Sequence, residues 1–305
     1  MDLPPTGHDP VLLNEVLETL DPRPGQVFVD CTLGRGGHAA AIGPRLGATG
    51  LLIACDVDPR NLEFARERLA GAPCSIRFFH ANFAELPDVL ETAGVPAADA
   101  ILADLGLSTN QLFDPHYGLS FAQPMPLDMR IDPRLPRTAA DLVNSMREDD
   151  LANVLYELAQ ERYSRRIARK IGEARRLSPI TTTDRLAGLV RSAVPSGAGA
   201  HGKREKIDPA TRTFLALRIA VNQELDNLAA LLKQAPARLR HPGGRVGIIS
   251  FQSTEDRLVK QAFRSAEQAG VLKLITKKPL SPSPEELAAN PRSRSAKLRG
   301  AERME

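Results

Sequence analysis

The sequence has few cysteines, no long apolar run and little net charge. Its three cysteines, Cys31, Cys55 and Cys74, form no CxxC pair, which excludes a disulfide framework and gives no zinc site or other metal site. No segment approaches the ~20 uninterrupted apolar residues of a membrane helix, and the N-terminus lacks a signal-peptide pattern. We therefore expect a cytoplasmic protein with no membrane partner. A net charge of +3 restricts any nucleic-acid contact to local basic patches.

Short apolar runs alternate with helical patterns in the first third of the 305 residues. Strands are predicted at 27–31, 51–55, 76–80 and 100–104, each apolar enough to be covered on both faces. The Asp-Pro pairs at Asp9 and Asp58 predict helix starts, with Asp as the N-cap. This alternation predicts an α/β fold with a parallel, doubly wound sheet and a ligand at the carboxyl ends of its strands.

The pattern changes after residue 104. Loops are followed by predicted helices near 138–146, 148–158, 160–176 and 183–193, and a third Asp-Pro pair at Asp208 opens a long helix. "GGRVGIISF" predicts a further strand, and 271–277 and 296–299 are two more candidates. We therefore predict a discontinuous sheet domain, 1–109 and 208–305, with an all-helical insertion at 110–207.

A glycine-rich turn follows the first predicted strand in "VDCTLGRGGHAA". Gly34, Gly36 and Gly37 allow the backbone to approach a ligand closely at a helix N-terminus. A dinucleotide fits the glycine spacing, and Asp56, about twenty residues on, could bind ribose hydroxyls. Asp30 favours S-adenosylmethionine instead, because a carboxylate repels a pyrophosphate but attracts a sulfonium and an ammonium group. A turn that needs glycine only for packing is the third interpretation.

The fourth predicted strand ends at Asp104, in "DLGLSTNQ". A carboxylate at this place could accept a hydrogen bond from an exocyclic amine such as cytosine N4 and align it with a methyl donor. A cap or a cofactor contact is the alternative role for Asp104. Methylation at cytosine C5 would require a cysteine nucleophile, and neither the fourth nor the fifth strand end carries one. Phe83, after the third strand, is either an adenine platform or a core residue.

Seven motifs occur in order along the chain: "GRGGH", "DLGLSTNQL", "GLSF", "PLDMR", "PATRTF", "GGRVGIISFQSTEDRLVK" and "NPRSRSAKLR". Together they resemble the MraW/RsmH family of bacterial small-subunit rRNA cytosine-N4 methyltransferases. The resemblance implies a class I Rossmann-like methyltransferase sheet, S-adenosyl-L-methionine as cofactor, and a helical insertion that helps to recognise RNA. It also implies N4-methylation of a decoding-centre cytosine in 16S rRNA, within the small ribosomal subunit. The implied cofactor site consists of Gly36, Gly37, His38, Asp56, Phe83, Asp104 and Gln111.

The chain departs from the family pattern at a few positions. Gln252 stands where the family usually has histidine, and Asn110 stands where it usually has proline. These departures leave a runner-up open, a catalytically silent assembly factor that binds S-adenosylmethionine or RNA. The oligomeric state, monomer or homodimer, is also open.

Two further segments carry sequence-level hypotheses. Seven basic residues between Arg162 and Arg176 lie on one predicted helix, and they either hold RNA phosphates or form a solvated face. In "STED", Ser253 is predicted to cap a helix with Asp256 three residues on.

Overall fold

The computed structural model describes residues 10–195 and 208–304, and seven strands of these residues form one sheet. The strands are β1 (Val27–Asp30), β2 (Leu51–Asp56), β3 (Ser75–His80), β4 (Ala100–Asp104), β5 (Arg245–Ser250), β6 (Leu272–Leu274) and β7 (Lys297–Arg303). Their order is β3-β2-β1-β4-β5-β7-β6. The first five strands in this order are parallel, and β7 is antiparallel to both of its neighbours. The parallel part of this order, β3-β2-β1-β4-β5, is that of a doubly wound sheet, as predicted.

Thirteen helices occur in the described residues. They are α1 (Leu13–Leu20), α2 (Gly37–Leu46), α3 (Pro59–Arg68), α4 (Leu86–Thr92), α5 (Thr109–Phe113), α6 (Ala139–Ser145), α7 (Glu148–Ala159), α8 (Ser164–Leu177), α9 (Thr183–Ala193), α10 (Ala210–Asn222), α11 (Glu224–Arg238), α12 (Ser253–Gln268) and α13 (Pro284–Ala289). Within the described ranges, no helix is long and apolar enough to cross a membrane.

Helices cover both faces of the sheet. Successive strand residues point to opposite faces, so Phe28 and Leu52 belong to one buried cluster, and Val29 and Ile53 belong to the other. The first cluster includes side chains of α1, α2 and α3, whereas the second includes side chains of α4, α11 and α12. This burial on both faces explains why the central strands are continuous apolar runs in the sequence.

The described residues divide into a sheet unit, 10–108 and 225–304, and a helical unit, 109–195 and 208–224. The helical unit contains α5 to α10, and no named strand lies in its described part. The sequence assigns 208–224 to the sheet domain, whereas the structure groups these residues with the helices. The physical reason is that α10 packs against α7 and buries Phe214 and Leu217.

The three Asp-Pro pairs were predicted to begin helices, and the structure describes two of them. The Asp58 side chain accepts a hydrogen bond from the Arg60 amide at 3.0 Å and caps α3, as predicted. Asp208 accepts one from the Ala210 amide at 2.8 Å where α10 begins. The long helix predicted there is interrupted at Gln223, whose φ of 52° separates α10 from α11. Asp9 lies outside the described residues.

Candidate active site

Three carboxylates lie at the carboxyl ends of three neighbouring strands. Asp30 ends β1, Asp56 ends β2 and Asp104 ends β4, and β1 lies between the other two strands. Because the three strands are parallel, their carboxyl ends share one edge of the sheet. Asp30 and Asp56 are buried and Asp104 is half-buried. The structure therefore brings together three acids that the sequence places 26 and 48 positions apart.

The glycine-rich turn between β1 and α2 is fastened to one of these acids. The Gly34 amide donates to Asp56 Oδ2 at 2.7 Å, and the Asp58 amide donates to Asp56 Oδ1 at 2.8 Å. Gly34 and Gly36 have φ values of 52° and 77°, a region that favours glycine. Gly36 is the N-cap of α2 and has no side chain to accept from the first helical amides, an arrangement typical of helix N-termini that bind a ligand.

Two of these carboxylates keep a buried oxygen that is not hydrogen-bonded. Asp30 Oδ1 accepts from the Thr32 amide at 3.2 Å, but Asp30 Oδ2 has no hydrogen-bond partner among the described residues. Asp104 Oδ1 is in the same condition. Buried carboxylate oxygens are stable only when a donor or a cation satisfies them, so each marks a place for a ligand group. The ammonium group of S-adenosylmethionine can donate a hydrogen bond to such an oxygen, and its sulfonium group supplies a positive charge.

Burial raises the pKa of all three acids. It raises the pKa of Asp30 to about 7, and the neighbouring charges of Asp104 and Asp56 add to the rise. Burial also raises the pKa of Asp104 to about 7 and that of Asp56 to about 6, opposed by backbone amides that donate to each carboxylate. A cationic ligand would favour the ionised carboxylates, so the raised pKa values also fit a positively charged cofactor.

Thr32 connects two of the strand ends and was not singled out from the sequence. Its hydroxyl oxygen accepts a hydrogen bond from the Asp104 amide at 2.6 Å, and its own amide donates to Asp30. Thr32 thus fixes the spacing between the end of β1 and the end of β4. Its position two residues after the strand-ending acid was the available sequence signal.

His38 lies in the first turn of α2 and is buried. Its Nε2 is 3.0 Å from the carbonyl oxygen of Val11, and a carbonyl can only accept, so Nε2 carries the proton. His38 Nδ1 is 4.0 Å from Asp104 Oδ2. The ring therefore presents its second nitrogen toward the acid at the tip of β4.

The remaining predicted site residues lie in two places. Phe83 begins a short 3-10 helix after β3 and is half-buried against the core cluster that contains Val29. Its role as an adenine platform stays a prediction. Gln111 is a buried residue of α5, in the helical unit, and its contribution to the cofactor site also stays a prediction.

The turn from β5 into α12 contains the residue that departs from the family pattern. The helix cap begins at Gln252, one residue earlier than predicted, because Glu255 rather than Asp256 accepts from the N-cap amide. Buried Glu255 accepts from the amides of Phe251 and Gln252 at 2.9 and 3.0 Å, and from Gln252 Nε2 at 3.1 Å. Asp256 pairs instead with Arg299, Nε to Oδ1 at 2.7 Å. Gln252 therefore has a hydrogen-bonding role in holding this turn.

Phe251 and Gly106 meet beside the tip of β4. A methyl group on Gly106 would lie 2.8 Å from Cε2 of the Phe251 ring, closer than carbon atoms pack. The glycine therefore lets the loop after Asp104 lie directly against a half-buried aromatic ring. Sequence analysis missed Phe251 because the contact joins residues 145 positions apart, and only its place after the fifth strand marked it.

The three cysteines are all buried and free of disulfides. Burial raises the pKa of Cys31 and Cys55 well above the ordinary thiol value, and it also raises that of Cys74. Since the thiolate is the nucleophilic form, none of these residues is prepared for covalent attack on a base.

Comparisons with known proteins agree with this geometry. A family model described as the MraW methylase family matches residues 5–304. A protein named ribosomal RNA small subunit methyltransferase H from Acidobacterium capsulatum is 46% identical over 303 residues, which cover 97% of this chain and 98% of the relative. The protein of the same name from Geobacter sulfurreducens is 46% identical over 313 residues, covering 98% and 99%. The counterpart from Clostridioides difficile is 40% identical, covering 97% and 99%.

Proposed function

Because the chain belongs to the MraW methylase family, we propose that it methylates N4 of a decoding-centre cytosine in 16S rRNA. S-adenosyl-L-methionine is its cofactor, and it supplies an electrophilic methyl group on a sulfonium when bound. The relatives are named ribosomal RNA small subunit methyltransferases, which supports the choice of an rRNA substrate. The observation that carries the choice of an amine is the half-buried Asp104 carboxylate, with an unsatisfied oxygen at the tip of β4.

The sheet edge supplies the groups that would hold the cofactor. Asp30, whose Oδ2 has no donor in the described chain, would face a cationic group. Asp56 Oδ2 accepts from the Gly34 amide of the glycine turn and keeps a second lone pair with which to accept from a ribose hydroxyl, whereas Oδ1 accepts from the Asp58 amide and from Asn61 Nδ2. Gly37 would contribute its backbone amide at the start of α2 and His38 would line the same turn, whereas the Gly36 amide donates to the Leu33 carbonyl at 2.8 Å and Gly36 would serve by letting the cofactor approach the backbone.

Asp104 would orient the target amine. Cytosine N4 is a weak nucleophile because its lone pair is delocalised into the ring, so a fixed acceptor helps by aligning the nitrogen with the methyl carbon. As the bond from N4 to the methyl carbon forms and the carbon–sulfur bond breaks, N4 must lose one proton. Asp104, with a pKa raised to about 7, could take this proton near neutral pH, and His38 Nδ1 lies 4.0 Å beyond it.

The cysteines argue against the main alternative position on the base. Methylation at cytosine C5 proceeds through a covalent thiolate adduct, and each cysteine here is buried with a raised pKa. Methylation of an exocyclic amine needs no such adduct. The composition of the site therefore favours N4 over C5.

Transfer of labelled methyl from S-adenosylmethionine to small subunits lacking the modification tests this proposal. We expect one methyl group per 16S rRNA with the native protein and a loss of at least about 100-fold in kcat for Asp104→Asn, the effect of removing one key polar group. A protein that binds the subunit and the cofactor but incorporates no label would be the silent assembly factor, and the proposal would be wrong.

A further inference from the structure

One face of α8 presents a row of cations to solvent. The helix buries Ile167, Ala168, Ile171 and Gly172, and its opposite face is exposed. Positions on that face follow the three- and four-residue spacing of one helix side. We name this set, together with Arg162 two residues before the helix, the α8 cationic row: Arg162, Arg165, Arg166, Arg169, Lys170 and Arg176, all exposed. Arg175, the seventh basic residue of the segment, lies outside the row and donates to the Val143 carbonyl at 2.8 Å.

The arginines of this row differ from several others in the helical unit. None of its five guanidinium groups has a hydrogen bond or ion pair with any residue that the structure describes, and Lys170 alone approaches an acid, Glu173, at 3.7 Å. Elsewhere in the unit, four arginines are paired with acids: Arg130 with Asp128, Arg134 with Asp132, Arg191 with Asp208, and Arg218 with Glu224. The row is therefore an unneutralised concentration of positive charge.

This arrangement opposes the stability of the helix itself. Like charges three and four residues apart repel one another on a helix. Arg165 and Arg166 lie in the first turn of α8, where the helix dipole favours acids, and that turn contains no acidic residue. A merely solvated face would satisfy solubility with charges of both signs. A bound polyanion would remove both sources of repulsion.

We propose that the α8 cationic row binds the phosphate backbone of the RNA substrate, independently of its sequence. Within α8, from Arg165 to Arg176, the row spans about 17 Å at 1.5 Å per residue, long enough to contact several consecutive phosphates. Guanidinium groups suit phosphates because their planar donors bind two oxygens together. This inference rests on the proposed function for the identity of the polyanion as RNA.

The test measures binding of the full-length protein to a fluorescently labelled decoding-centre fragment of 16S rRNA, at several salt concentrations. In the triple variant Arg165→Gln, Arg166→Gln and Arg169→Gln, we expect at least about tenfold weaker binding at 0.1 M salt. The slope of log affinity against log salt should fall in magnitude by about 2 to 3, because each lost phosphate contact removes about 0.7 to 0.9. Glutamine preserves helix propensity, and circular dichroism confirms that the variant is folded.

A matched control removes the same charge elsewhere. Arg257, Lys260 and Arg264 are three exposed cations of α12, and their replacement by glutamine should leave the affinity and salt slope unchanged. A gain-of-binding variant is also available, since Glu173→Gln removes the only acid of the exposed face. It should tighten RNA binding by about threefold, an effect that a purely structural role would not produce.

The outcomes separate this inference from the proposed function. Equal losses in the α8 and α12 triple variants would overturn the inference, as would a row that binds phosphatidylserine vesicles but not RNA. Because the binding assay requires no methyl transfer, an inactive protein with an intact α8 effect would refute the proposed function alone. In the active protein, the α8 triple variant should raise KM for RNA and leave kcat unchanged at saturating RNA.

Discussion

Binding of S-adenosylmethionine should weaken strongly as the pH falls below 7. Burial raises the pKa of Asp30 and Asp104 to about 7 in the ligand-free protein, so both carboxyls are largely protonated at pH 5.5. A cationic ligand favours their ionised forms, which lowers each pKa and releases protons on binding. If one carboxyl with a pKa of about 7 must ionise, the affinity falls about 30-fold between pH 8 and pH 5.5.

Isothermal titration calorimetry measures this effect directly. Titrations at pH 7 in two buffers of different ionisation enthalpy count the released protons, and we expect about half a proton for each carboxyl involved. S-adenosylhomocysteine lacks the sulfonium charge and serves as the matched control, with a weaker pH dependence. In Asp30→Asn the affinity should fall and the share of proton release due to Asp30, about half a proton at pH 7, should disappear. An affinity that stays constant from pH 5.5 to pH 8 would refute the assignment of the carboxylate edge to a cationic cofactor.

Three further predictions follow from individual contacts. Asp30→Asn should stabilise the ligand-free protein, because the raised pKa of Asp30 destabilises the native state increasingly as the pH rises from about 4 to about 7. In urea unfolding, the increase in the free energy of unfolding caused by the substitution should be about 2–3 kcal/mol larger at pH 8 than at pH 5. An equal effect at both pH values would contradict this. Gly106→Ala should destabilise the protein by about 1–3 kcal/mol and lower kcat, and Phe251→Leu in the same chain should restore both; a neutral Gly106→Ala would disprove the packing argument. Gln252→His should change single-turnover kcat by less than about tenfold, because Gln252 holds the turn; a gain of 100-fold or more would instead indicate a missing general base.

The strands and the acid cluster were predictable because both follow from simple periodic rules. A strand covered on both faces must be an apolar run, so the sequence located all seven strands of the described sheet. Parallel strands place their carboxyl ends together, so Asp30, Asp56 and Asp104 were expected at one edge before their contacts were known. The Asp58 cap followed from the preference of Asp-Pro for a helix start.

Contacts between distant parts of the chain were not predictable. The amphipathic pattern of α10 shows that the helix buries one face, but it does not say whether a sheet or α7 covers that face. Both Gln252 with Glu255 and Ser253 with Asp256 fit a capping pattern, and only the structure distinguishes them. The length of β7 was underestimated because its residues after 299 include a glycine and two charged side chains, which strand propensity disfavours.

Nucleoside mass spectrometry of 16S rRNA, after incubation of unmodified small subunits with the protein and S-adenosylmethionine, tests the central claim most directly. The account predicts N4-methylcytidine at a single decoding-centre position, and its loss in Asp104→Asn at saturating cofactor. Formation of 5-methylcytidine or of a ribose-methylated product, or full activity of Asp104→Asn, would contradict the assignment of the carboxylate at the tip of β4.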